Sequence, residues 1–90
     1  MEKAVITVIG NDRTGIIYNV TKILYECNIN ILDLSQTILN DFFTMVMIVD
    51  IAGCTAKFED VQESLSDVGT DLGLQIKIQH QDIFDAMHKI

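Results

Sequence analysis

Ninety residues, 49% of them hydrophobic, suffice for one core beneath one sheet and not for two, so residues 1–90 are expected to form a single domain. Six basic residues against 13 acidic ones give a formal net charge of −7, a field that repels phosphate backbones and anionic bilayers and argues against nucleic acid or membrane as a direct partner. The opening run MEKAVITVIG is too short and too alternating for a signal peptide, no apolar run approaches the roughly 18 residues of a membrane helix, and Cys27 and Cys54 fit no CxxC pattern, so a cytoplasmic protein with reduced thiols is expected.

Lys3 to Ile9, rich in Val, Ile and Thr, predicts a strand. GNDRT at 10–14 is a turn cluster. From Gly15 the period changes, and Ile16, Ile17, Val20, Ile23, Leu24 and Cys27 fall on one helical stripe. Asp12 or Thr14 is available to cap that helix, and Asn28 and Asn30, both suited to left-handed backbone, end it. Asn30 to Leu39 and Phe42 to Ile51 are two further β-rich runs, and Asn40-Asp41 between them has the spacing of a tight hairpin. In the later run Phe43, Met45, Met47, Val49 and Ile51 share an apolar face, whereas Phe42, Thr44, Val46, Ile48 and Asp50 share a mixed one. Only the first face belongs under helices.

A turn at Ala52 to Thr55 leads into a second helix, marked by Phe58, Val61, Leu65, Val68 and Leu72 and stopped at Gly73. Leu74 to His80 alternates as a half-buried strand does. Ile83, Phe84, Met87 and Ile90, with Asp82 as a cap, predict a short terminal helix docked on the body. The order β-α-β-β-α-β with right-handed crossovers is an α+β, ferredoxin-like sandwich: an antiparallel sheet with two helices on one face, plus the C-terminal helix. In that order the second and fourth strands are the rims. Ile31 to Leu39 is long, apolar and free of Lys and Pro, as a strand meant to be paired would be, which predicts a homodimer through it.

The chemistries this fold often carries are poorly supported. No Lys or Arg occurs from Ile23 to Ala56, against a base-stacking nucleic-acid reader. His80 and His88 are eight apart with no third ligand at a suitable spacing, and the first loop has no thiols, so no metal is expected. GNDRTG matches half of a phosphate-binding loop, but Ile16 and Ile17 replace the Lys and Ser/Thr that would hold phosphate and magnesium. Ser35, Ser64 and Ser66 have no histidine spaced to activate them. Neither an enzyme nor a cofactor is expected.

Val8 to Gln36, VIGNDRTGIIYNVTKILYECNINILDLSQ, resembles the signature of ACT domains: a strand, Gly-x-Asp-Arg-x-Gly-Ile, a helix, then Asn-Ile opening the second strand. It is similar to the small stand-alone members and to the ACT modules of the glycine-cleavage repressor. The resemblance implies a regulatory domain whose ligand, an amino acid or similar metabolite, lodges between the first loop of one subunit and the second strand of its neighbour. The candidate ligand residues are Gly10, Asn11, Asp12, Arg13, Thr14, Gly15, Ile16 and Asn30. Gly15 turns the chain into the helix, and the free N–H groups of residues 14–17 suit a carboxylate. Asp12 either accepts from an α-ammonium or caps the helix. Arg13 is either a ligand contact or a solvated loop charge. Asn30 either satisfies a turn or reaches the pocket of its own chain or of its partner. Serine-binding members carry Asn at the Asp12 position and His at the Gly10 position, so the resemblance leaves the ligand open. A second reading is a protein-docking module using the sheet face of Val46 and Ile48.

Overall fold

The computed structural model describes residues 1–87. Its elements are β1 (Lys3–Asn11), α1 (Ile16–Glu26), β2 (Asn30–Leu39), β3 (Phe42–Asp50), α2 (Phe58–Leu72), β4 (Leu74–His80) and α3 (Gln81–Met87). The four strands form one antiparallel sheet in the order β2-β3-β1-β4. This is the ferredoxin-like α+β arrangement, with β2 and β4 at the rims.

The core follows from period-two alternation. Ile6 lies opposite Met47 on one side and Ile78 on the other, and directly opposed residues share a face. That face carries Ala4, Ile6 and Val8 of β1, Phe43 to Val49 at odd positions of β3, and Leu74, Ile76 and Ile78 of β4, all buried. Ile16, Val20 and Leu24 of α1 and Val61 and Leu65 of α2 close over it. Leu24 is 1% exposed, so Leu24→Ala removes buried apolar volume and leaves a void. The expected loss is about 2–5 kcal/mol of unfolding free energy, read as a lowered denaturation midpoint at unchanged slope.

Local signals set the turns. Asn40 and Asp41 both take positive φ, 49° and 68°, the type I′ geometry that matches strand twist. Gly73, left-handed, ends α2. At the end of α1 only Asn28 is left-handed, at φ 57°; Asn30 is already paired in β2, so the expected pair of left-handed asparagines reduces to one. Ile17, placed by its spacing on the core stripe of α1, is 41% exposed, because the helix buries a narrower face centred on Ile16, Val20 and Leu24.

Two features position the candidate sites. First, β2 is exposed along all ten residues. Its register sets Leu34, Gln36 and Ile38 opposite Met47, Met45 and Phe43, on the helix side, yet neither helix reaches out to cover them. Second, α3 folds onto the other face. Gln79 alternates away from the helix side and its Nε2 donates to Met87 Sδ at 3.4 Å, while Val5, also on that face, is 3% exposed. The expected terminal helix is present, with Ile90 and His88 lying outside the described residues. No described helix is long and apolar enough to cross a membrane.

Candidate functional site

Where β1 ends and α1 begins, the chain surrounds a surface pocket of about 360 Å³. Asp12, Arg13, Thr14, Gly15 and Ile16 form one side of it. The fold brings three groups to them that sequence reasoning missed: Ile17 and Tyr18 from the first turn of α1, Gln36 and Ile38 from β2, and Phe43 from β3 as a buried floor. The missing signal was the register. Counting back from the Asn40-Asp41 turn puts Ile38 opposite Phe43 and Gln36 opposite Met45, on the face from which α1 rises.

The loop is held by backbone. Asp12 N–H donates to the Asp41 carbonyl at 2.6 Å, tying the loop to the β2–β3 hairpin. Gly15 is itself the N-terminal boundary residue of α1, at φ 94°, with no side-chain cap. Neither Asp12 nor Thr14 caps the helix, which corrects that expectation: the left-handed turn at Gly15 starts the helix without them. A side chain at Gly15 would be strained at that φ and would place its Cβ 3.3 Å from Asn19 Nδ2. Asn19 supports the turn, donating to the Gly15 carbonyl through both Nδ2 (2.7 Å) and its backbone N–H (3.0 Å).

The electrostatics of this mouth suit an anion at one point and a cation at another. With no acidic residue in the first turn and no capping side chain, the leading amides of α1 are left to external acceptors, at the positive end of the helix dipole. The exposed Asp12 carboxylate and Arg13 guanidinium flank them. Beneath, Ile38 and Phe43 are apolar, with Gln36 beside them.

Three predicted residues fall elsewhere. Gly10 does not line the pocket. A Cβ there would come within 2.6 Å of Leu74 Cδ2 and 3.2 Å of the Gly73 carbonyl oxygen, so close approach of β4 accounts for the glycine. Asn11 lies opposite Phe42 at the end of β1, exposed, and does not line the pocket either. Asn30 pairs with Asp50 while Asn11 pairs with Phe42, eight positions along β3, or roughly 26 Å at about 3.3 Å per residue. Asn30 therefore lies at the opposite end of the sheet, in a separate depression with Tyr25, Asn28 and Gly53, and does not reach the pocket of its own chain. Among the described residues no group of three or more His, Cys, Asp or Glu is placed to hold a metal ion.

Two ionisable groups near that far end are shifted. Burial, then the neighbouring Cys54 and Glu26, pushes the Cys27 thiol up. Asp50 is held below the usual carboxylate range, chiefly by the Ala52 backbone N–H that donates to it, with a further N–H from Glu2. Because its pKa is lower folded than unfolded, Asp50 contributes stability at neutral pH. That contribution starts to fall near the unfolded value, about 4, and is lost as pH drops through the folded one. Asp50→Asn is therefore expected to be less stable than the parent at pH 7, with the difference shrinking towards pH 2. Urea unfolding of both proteins across that range checks the sign.

A family model for the ACT domain matches residues 2–79. The chain belongs to the ACT domain family. It is 47% identical over 90 residues to a UPF0237 protein of Methanocaldococcus jannaschii, covering 100% of both chains. In structure it is similar to an ACT domain protein from Streptococcus pneumoniae, with a TM-score of 0.78, 36% identity, and coverage of 93% of this chain and 94% of that one. A putative glycine cleavage system transcriptional repressor shares the fold at TM-score 0.72 and 24% identity, this ACT domain matching 44% of its length with 87% of its own.

Proposed function

We propose that this ACT domain is a regulatory module that binds an amino acid at the β1–α1 mouth and acts as a homodimer joined along β2. The observation that carries the reading is the convergence of unclaimed α1 amides and the Asp12 carboxylate above an apolar floor. Amides at a helix start take a carboxylate, and an aspartate takes an ammonium. Ile17, Tyr18, Ile38 and Phe43 then favour an aliphatic or aromatic side chain over a small polar one.

The dimer is supported by the β2 edge. Ile31, Leu32, Leu34, Ile38 and Leu39 are 37–69% exposed on a strand with no Lys or Pro to discourage pairing. Antiparallel pairing about a two-fold axis would set the partner subunit's Asn30 beside the Leu39 end of this strand, near the first loop. That restores a ligand role for Asn30 across the interface. The docking alternative rests on Val46 and Ile48, both already half-buried, on a face that α3 partly covers, which favours the ligand reading.

Thermal unfolding against the twenty amino acids tests the proposal. A ligand at ten times its Kd adds about 1.4 kcal/mol, a shift of several degrees, at roughly 4–8 °C per kcal/mol for a domain this small. A selective shift by one or a few residues with apolar side chains is expected. A flat panel would sink the ligand reading in favour of docking.

A further inference from the structure

The end of the sheet farthest from the first loop carries a different cavity, of about 150 Å³, between the start of α2 and the ends of β1, β3 and β4. Ile29, Ile51, Val61 and Ile78, all buried, make its floor, and Phe58 walls it. The cavity opens to solvent on one side, and its volume is of the order that holds a benzene-sized guest.

Its mouth is polar and held in place. Glu2 and His80 line both this cavity and an outer depression of about 500 Å³ at the β4–α3 junction, so they stand between an apolar inner chamber and a polar vestibule. His80 Nδ1 lies 3.5 Å from Glu2 Oε2. The imidazole stacks on Phe58, with ring centroids 4.2 Å apart and planes inclined by 15°. The Glu2 backbone is fixed from both sides: its N–H donates to Asp50 Oδ1 at 3.2 Å, and its carbonyl accepts from Ile51 N–H at 2.7 Å. The vestibule carries the Met1 α-ammonium and Lys3 beside Asp82, whereas among the described residues lining the inner chamber Glu2 is the one acid and no Lys or Arg accompanies it.

We propose that this cavity is a second ligand site, for a small primary amine with a compact branched or aromatic hydrocarbon body. The hydrocarbon rests on the Ile51, Val61 and Ile78 floor and the ammonium meets the Glu2 carboxylate, to which it can present three donors. Carboxylates and phosphates are turned away by Glu2 and by the net charge of −7. The site is independent of the first-loop reading, since the two pockets share no residue.

Isoamylamine, isoamyl alcohol and isovalerate share one hydrocarbon and differ in the head group. Titrated into the protein with isoleucine and valine methyls observed by NMR, the amine is expected to shift Ile51, Val61 and Ile78. The alcohol is expected to bind about tenfold more weakly, as the loss of one charge contact at a half-exposed site implies, and the acid not to bind. Glu2→Gln should bring amine and alcohol level. Ala56→Leu, which fills the chamber from its wall, should remove binding of the amine and the alcohol alike; should that variant not fold, Glu2→Gln decides alone. Floor methyls unmoved by tens of millimolar amine, isovalerate binding as well as the amine, or an amine preference that survives Glu2→Gln would each overturn the proposal.

Discussion

Asp12→Lys is expected to abolish amino-acid binding and leave folding intact. The side chain is exposed and makes no hydrogen bond that holds the loop, whose tie to Asp41 runs through the Asp12 backbone N–H instead. The unliganded unfolding midpoint should therefore move little. A charge-assisted contact to an α-ammonium contributes about 1.5–3 kcal/mol, roughly 10- to 150-fold in Kd, and reversing the charge adds repulsion to that loss. Calorimetric titration of parent and variant with whichever amino acid shifts the thermal panel gives the answer. Binding of equal strength in both would reduce Asp12 to a surface charge and leave polar recognition to the other groups of the mouth, the α1 amides and Arg13 among them.

Leu34→Lys has the second large effect. Leu34 sits mid-strand on the helix side of β2, opposite Met47 and 39% exposed. Pairing of β2 with its own copy about a two-fold axis brings the two central segments together, so the substitution sets two ammonium groups close to one another in an apolar seam. An inward-pointing lysine is also how natural edge strands avoid pairing. Sedimentation at tens of micromolar should show a dimer for the parent and a monomer for the variant. If the pocket is completed by the partner subunit's Asn30, ligand binding falls with the dimer. A variant that is monomeric yet binds normally would confine the site to one chain, and a variant that stays dimeric would move the interface away from β2.

These tests concern side chains whose roles were unequally legible. Composition, periodicity and turn chemistry were enough for the fold, because each acts locally or through simple alternation. The two positive-φ residues at Asn40-Asp41, the glycine stop at Gly73 and the alternation of β3 each carry their own physical reason within a few residues. The first loop was legible for the same reason: Gly15 and the residues before it form a contiguous segment whose geometry depends on one left-handed turn.

Sequence alone thus determined the element order, the buried faces, the exposed apolar edge of β2 and half of the candidate mouth. Tertiary structure decided the other half. Only the strand register set Gln36, Ile38 and Phe43 against the loop and carried Asn30 to the far end of the sheet, because the span of a strand separates residues that a linear motif sets side by side. Only packing showed that Gly10 lies against Leu74 and outside the lining of the mouth, that Gly15 begins α1 without help from Asp12 or Thr14, and that α3 lies over the face opposite the other helices. A sequence period specifies which face of an element is apolar; which partner meets that face, and what gap remains between them, depends on contacts among residues far apart in the chain.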